Sequence, residues 1–183
     1  MAEARESHPP AAHPPAEADE VDRLVEAWRR ERPDLDVSPL EVLSRVTRLA
    51  RHLDRARRAA FEAHDLEGWA FDVLAALRRA GAPYELSPGQ LLTSTLVTSG
   101  TMTNRVDRLA SDGLVERRPD PDDRRGVLVR LTAAGLAAVD AALTDLLRHE
   151  HAILAALEPA DQMRLAALLR ELTGPFDAAE ATE

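Results

Sequence analysis

A polar stretch from residue 98 to residue 108 has the side chains needed to read DNA. Its hydroxyl, amide and guanidinium groups can hydrogen-bond to base edges and phosphates. At about 100° per residue, Met102, Val106 and Leu109 fall in one sector, which predicts an amphipathic helix with these three facing a core. The residues expected at DNA are Thr98, Ser99, Gly100, Thr101, Thr103, Asn104 and Arg108. The alternative is an ordinary polar helix face in contact with solvent.

A second group of charged residues lies at the tip of a predicted β-hairpin. Residues 114–118 and 127–131 alternate enough to be strands, and the segment between them is rich in proline and aspartate. Arg124 and Arg125 at the tip could enter the minor groove or pair with phosphates, with Asp123 placed to brace one of them. The alternative is an exposed, charged turn without a DNA contact.

Apolar periodicity and capping residues predict the helices that must hold this helix and hairpin in place. A helix over about residues 88–96 precedes the polar stretch, which gives the layout of a winged helix-turn-helix. The expected fold class is mainly α with a small β-wing: a winged helix-turn-helix DNA-binding domain flanked by N- and C-terminal dimerisation helices. The other helices are expected at about residues 21–32, 38–63, 66–80, 132–157 and 158–174.

Continuous apolar stripes on the terminal helices predict a homodimer. Within one chain these stripes have little core to bury them, and pairing them would place two recognition helices about one DNA turn apart. The expected organisation is a disordered tail (1–19), N-terminal helices (20–63), the DNA-binding domain (64–131), C-terminal dimerisation helices (132–175) and a second disordered tail (176–183).

The net charge of −9 would oppose DNA binding if it were spread evenly over the chain. Residues 1–20 hold five acids against one arginine, whereas residues 98–131 hold seven arginines against six acids. DNA affinity depends on the field within a Debye length, about 10 Å, so the local balance matters more than the total. The charge distribution is therefore compatible with nucleic-acid binding.

Several function classes are disfavoured by what the sequence lacks. It has no cysteine, no apolar run of the roughly 20 residues that span a bilayer, and no nucleophile-elbow, phosphate-loop or HExxH motif. His149 and His151 are two residues apart on a predicted helix, which is poor geometry for a metal. We expect a cytoplasmic protein that is not an enzyme, has no cofactor or metal site and does not bind membranes.

Three segments resemble the MarR family of winged-helix transcription regulators. They are SGTMTNRVDRL at residues 99–109, GLVER at 113–117 and DRRGVLVRLTAAG at 123–135. The resemblance extends over about residues 38–173. It implies a transcriptional repressor that binds pseudo-palindromic, double-stranded operator DNA as a homodimer.

A narrower resemblance is to a MarR subgroup that senses urate or, in some members, citrate and trans-aconitate. That subgroup has an added N-terminal helix and a pocket of one tryptophan, one aspartate and two arginines, which correspond here to Trp28, Asp72, Arg105 and Arg117. The resemblance implies a small anionic effector that releases the protein from DNA. Two arginines can hold an anion through charge-assisted bonds.

Each of these four residues also has a plainer interpretation. Trp28 can simply pack, Asp72 can favour the first half of its helix, Arg105 can cover the core edge, and Arg117 can contact a phosphate. The four residues suit urate and a polycarboxylate equally well. For the whole protein, the alternative function is a ligand-independent architectural DNA-binding protein or a helical interaction protein.

Overall fold

The computed structural model describes residues 18–95, 99–121, 123 and 126–180, and within them the chain forms seven helices and three strands. In chain order the elements are α1 (Glu20–Glu31), α2 (Pro39–Glu62), α3 (Gly68–Arg79), β1 (Glu85–Leu86), α4 (Pro88–Thr95), α5 (Ser99–Ser111), β2 (Val115–Pro119), β3 (Val127–Leu131), α6 (Ala133–Leu154) and α7 (Pro159–Glu180). The expected mainly α fold with a small β-wing is confirmed, and most predicted bounds lie within a few residues of those observed.

Two differences from the predicted elements stand out. Strand β1 was not predicted, because its two residues are too short to show a period-two pattern. The expected end of the last helix near Thr173 is wrong: α7 contains Pro175 and continues to Glu180. A proline in a helix interior removes one hydrogen bond and its ring crowds the carbonyl four residues earlier, but Ala178 and Ala179 after it favour helix. Residues 176–180, expected in a disordered tail, are therefore helical, and residues 181–183 lie outside the described part.

The chain forms two compact units that divide within α2, between His52 and Leu53. In the first unit, Val21 and Val25 of α1 are buried. The Asp19 carboxylate caps α1 by accepting the backbone N–H groups of Val21 and Asp22. Arg45 of α2 in turn donates to the carboxylates of Asp19 and Asp22 at 2.6–3.0 Å.

The core of the second unit surrounds α3, which buries most of its length. Leu74 and Leu77 are completely buried, and Met102, Val106 and Leu109 of α5 pack in the same cluster. The face of α5 that the sequence predicted to be buried is thus confirmed.

The three strands form an antiparallel sheet in the order β1-β3-β2. Val115 of β2 lies opposite Leu131 of β3, and Pro119 lies opposite Val127. Beyond this ladder, Asp120 donates its N–H to the carbonyl of Gly126 at 3.0 Å. The two strands are therefore the stem of the predicted wing.

A threonine and a glycine attach α6 to the segment between α5 and the wing. The Thr132 hydroxyl caps α6 by accepting the N–H of Gly135, and it donates to the Gly113 carbonyl at 2.7 Å. A Cβ atom on Gly135 would lie 1.9 Å from the carbonyl oxygen of Leu114. Only glycine permits this close approach of α6 to the segment before β2.

The last two helices differ in how they are buried. Helix α6 contributes Val139, Ala142 and Leu146 to the core. Helix α7 has no buried residue among 159–176, and it exposes five large apolar side chains: Met163, Leu168, Leu169, Leu172 and Phe176. Within the described ranges, no helix combines the length and apolar character that a membrane span requires.

Candidate nucleic-acid interface and effector residues

Helix α5 exposes a polar face opposite its buried stripe. Thr101, Thr103, Asn104 and Arg108 are exposed, whereas Arg105 is half-buried, as the sequence predicted for a residue at the boundary of the two faces. A Cβ atom on Gly100 would meet no atom of the described residues within 4 Å, so packing against them does not require glycine there. Such a face can present donors and acceptors to a duplex.

Some of the expected contact residues lie outside the described part of the chain. Thr98, Arg124 and Arg125 are not among the described residues, and Ser99 is described only as the first residue of α5. Asp123 is exposed, and its carbonyl accepts the N–H of Gly126 at 2.9 Å. Asp123 therefore belongs to the turn that closes the wing.

Two arginines of α5 lie against Trp69 of α3. The guanidinium carbons of Arg105 and Arg108 are 5.6 and 5.3 Å from the centre of the Trp69 ring. Together with Thr101 and Asn104, these three residues line an open cleft of about 250 Å³. The cleft lies on the polar face of α5.

Glu67 joins this group from the residue before α3. Its carboxylate accepts a hydrogen bond from the Trp69 indole N–H at 2.5 Å and pairs with Arg108 at 2.5 Å. The indole N–H, and after it the Arg108 guanidinium, hold the pKa of the Glu67 carboxyl below its ordinary value. Sequence reasoning missed Glu67 and Trp69, since neither the helical period nor a motif relates them to α5.

The second arginine proposed for the effector connects the wing to α5. Arg117 of β2 pairs with Asp107 of α5 at 2.7 Å. This ion pair is about half exposed, so a competing anion in solvent could reach it.

Asp72 of α3 faces a different set of residues. Its carboxylate lies 3.8 Å from Arg57, and an open cleft of about 390 Å³ is lined by Asp54, Arg57, Arg58, Phe61, Gly68 and Asp72. The stacked rings of Phe61 and Phe71, with centres 4.2 Å apart, lie beside it. The three expected effector residues of the second unit thus have separate partners: Arg57 for Asp72, Trp69 for Arg105 and Asp107 for Arg117.

Trp28, the fourth expected effector residue, belongs to the first unit. It lies on α1, and 48% of its surface is exposed. An exposed tryptophan of this kind is available to cover a ligand or a partner.

The described residues contain no cluster of three or more histidine, aspartate or glutamate side chains that could hold a metal ion.

The comparisons with known proteins agree with this geometry. The MarR family model matches residues 64–126, which include α3, α4, α5 and β2. The HTH-type transcriptional regulator PecS of Dickeya dadantii is 39% identical over 150 residues, covering 82% of this chain and 90% of PecS. The chain belongs to the MarR family.

Two solved structures at 28% identity have the same fold. A mutant MarR from E. coli complexed with operator DNA is 28% identical with a TM-score of 0.61, covering 75% of this chain and 99% of that one. A structure of Bordetella bronchiseptica BpsR, whose DNA binding is regulated by 6-hydroxynicotinic acid, is 28% identical with a TM-score of 0.54, covering 70% and 98%. This MarR-family chain is a winged-helix transcription regulator and not an enzyme.

Proposed function

We propose that the protein is a repressor that binds a pseudo-palindromic operator as a homodimer and leaves it when a small anionic metabolite binds. The observation that carries the DNA-binding part is the orientation of α5. Its exposed side carries Thr101, Thr103, Asn104 and Arg108, while its other side is anchored in the core. The relative solved with operator DNA supports this choice.

The exposed side of α5 would read the major groove. Asn104 and Arg108 are four residues apart and therefore lie on the same face of the helix. An asparagine can bond adenine at two points, and an arginine can do the same with guanine or a phosphate. Gly100 would allow the start of the helix to approach the backbone, where Thr98 and Ser99 complete the contact. Asp123, Arg124 and Arg125 would place the wing along the adjacent groove.

The effector residues would couple an anion to this surface. Arg105 lies on α5 itself, and Arg117 is paired with Asp107 of α5. An anion that attracts both guanidinium groups would change the contacts of α5 with Trp69 and β2. Couplings of this kind amount to about 1–3 kcal/mol between two states of a protein.

The proposed effector class is urate or a polycarboxylate such as citrate or trans-aconitate. Trp28 would cover the ligand and Asp72 would orient it. That the related BpsR responds to a small acid supports an anionic effector.

Operator binding is tested with variants of α5. We expect Asn104→Ala to weaken operator binding about 5- to 150-fold, since a two-point base contact contributes roughly 1–3 kcal/mol of discrimination. The matched control is Ser111→Ala, which changes an exposed polar residue at the far end of the same helix. Fluorescence anisotropy with a labelled operator measures both. Equal affinities for the two variants would contradict the assignment of this face to DNA.

The effector is tested by a thermal-shift screen of urate, citrate, cis- and trans-aconitate and isocitrate. An anion that binds the folded state must raise the melting temperature, and the same anion should release the operator. If none of them changes melting temperature or operator binding, the anionic effector is rejected. Equal affinity for the operator and random DNA would instead favour an architectural DNA-binding protein.

A further inference from the structure

The group formed by Glu67, Trp69, Arg105 and Arg108 joins two helices that are apart in sequence. Arg105 and Arg108 stack on Trp69, and Arg108 also pairs with Glu67. Both members of the ion pair remain about half exposed, at 58% for Arg108 and 52% for Glu67. A phosphate can therefore reach the Arg108 guanidinium without a change in the core.

Glu67 is an unusual choice for its position in the chain. It is the N-cap residue of α3, where serine, threonine, aspartate and asparagine are preferred. Its side chain makes no capping hydrogen bond to α3. Instead it accepts the Trp69 indole N–H and pairs with Arg108. The carboxylate thus contributes nothing to the cap of its own helix and is directed at the recognition helix.

We propose that Glu67 and Trp69 are positioning residues for DNA binding. The Trp69 ring supports the side chains of Arg105 and Arg108, and Glu67 holds Arg108 through an ion pair that DNA replaces on binding. This inference rests on the proposed DNA-binding function and adds two residues of the α3 N-terminus that need not touch DNA themselves.

The two positioning residues act on affinity in opposite directions. A guanidinium group is attracted to the face of a tryptophan ring, so Trp69 restricts both arginines to the polar side of α5. The Glu67 carboxylate competes with a DNA phosphate for Arg108, since both are anions that accept the same donors. Trp69 therefore favours DNA binding, whereas Glu67 opposes it and keeps Arg108 occupied in the free protein.

The role of Glu67 is tested by fluorescence anisotropy with the full-length protein and its operator. We expect Glu67→Gln to tighten binding about two- to fivefold, the size of effect that an exposed ion pair produces. The matched control is Glu62→Gln, which makes the same exchange at an exposed glutamate at the end of α2. In an Arg108→Ala background, Glu67→Gln should have no effect, because the guanidinium group for which the carboxylate and the phosphate compete is gone.

The outcomes separate this inference from the proposed function. A loss of operator affinity in Arg108→Ala supports the DNA surface. If Glu67→Gln then changes the affinity equally in the presence and absence of Arg108, the positioning role of Glu67 is rejected while the DNA surface stands. If Arg108→Ala leaves operator affinity unchanged, the proposed DNA surface is wrong at that residue, and this inference is wrong with it.

The role of Trp69 is tested with two substitutions. Trp69→Leu should weaken operator binding about three- to tenfold, since two cation–π contacts are lost. Trp69→Phe keeps an aromatic face and should recover most of the affinity. Melting temperatures measured in parallel detect a purely structural role. Loss of affinity in Trp69→Phe as large as in Trp69→Leu, or a loss explained by unfolding, would reject Trp69 as a positioning residue.

Discussion

Arg117 and Arg118 are adjacent on β2 but contact different elements. Arg117 pairs with Asp107 on α5, whereas Arg118 lies 4.0 Å from Glu116 on its own strand. Successive side chains of a strand point to opposite faces of the sheet. Arg117 is therefore placed to connect the wing with the recognition helix, and Arg118 is its natural control.

We expect Arg117→Gln to abolish the rise in melting temperature that an active anion produces, because the charge-assisted bonds to the ligand are lost. Arg118→Gln removes the same charge from the next position and should keep the response. A thermal-shift titration with each anion of the screen makes the comparison. An equal loss in both variants would point to a general charge effect and count against a pocket role for Arg117.

Single residues show where sequence reasoning reaches its limit. Periodicity predicted that Met102 and Val106 are buried and that Arg105 lies at the edge of the core, because these are properties of one helix. It did not predict Glu67 or Trp69, whose contacts join α3 to α5 although β1 and α4 separate these helices in the chain. Such contacts depend on how helices pack, and one helix's periodicity does not contain that information.

At the scale of elements, the contact between α6 and the segment before β2 depends on Gly135. We expect Gly135→Ala to lower the free energy of unfolding by about 1–3 kcal/mol, the usual cost of forcing an extra methyl group into a packed site. The added Cβ would overlap the Leu114 carbonyl oxygen, and backbone cannot move aside as a flexible side chain can.

Gly68→Ala is the matched control, since a Cβ atom on Gly68 would meet no atom of the described part of the chain within 4 Å. Urea unfolding of both variants gives the comparison. If both lose the same free energy, the close approach of α6 is not the cause.

A second link between elements is the pair formed by His64, after α2, and Asp145 of α6. His64 Nε2 lies 2.9 Å from Asp145 Oδ2. This hydrogen bond, and then the one from Arg148, holds the pKa of the Asp145 carboxyl below its ordinary value of 3.8. A carboxyl whose pKa is lowered in the folded state stabilises the fold at pH values above its pKa in the unfolded chain. That contribution is lost as the pH falls through the pKa of the folded state.

Asp145→Asn should therefore lower the free energy of unfolding near neutral pH. The difference in unfolding free energy between this variant and the unsubstituted protein should shrink as the pH falls below about 3.8. Asp112→Asn serves as the control at an exposed position. Urea unfolding at several pH values follows the difference. A difference that stays constant through the acid range would show that the charge of Asp145 is not what matters.

The elements that the sequence did not predict are the ones with weak local signals. Strand β1 has two residues and is defined by its pairing with β3, so it exists only through a tertiary contact. Helix α7 passes Gly174 and Pro175, two residues that usually end a helix. The helix bounds set by clear caps, such as Thr132 before α6, were predicted closely.

At the scale of the whole molecule, the exposed apolar face of α7 favours a second copy of the chain as its partner. Leu172 is 51% exposed and Phe176 is 71% exposed, an arrangement uncommon on the surface of a monomer. Leu168 and Leu172 lie one helical turn apart on the same face. Covering this face in a dimer would also pair two recognition helices for the two halves of an operator.

We expect the double variant Leu168→Glu with Leu172→Glu to be monomeric in sedimentation velocity and to bind the operator at least about 100-fold more weakly, since two-site attachment is lost. Arg170→Gln, an exposed substitution on the same helix, should remain dimeric. A double variant that is still dimeric would place the interface elsewhere.

The central claim is that the exposed face of α5 reads a specific operator. The most direct measurement is the affinity of the full-length protein for its footprinted site and for random duplex DNA at the same salt concentration. The protein should protect a pseudo-palindrome and bind it at least about 1,000-fold more tightly than random DNA, as specific regulators do. Arg108→Ala should reduce this preference. Equal affinity for the two DNAs would contradict the claim.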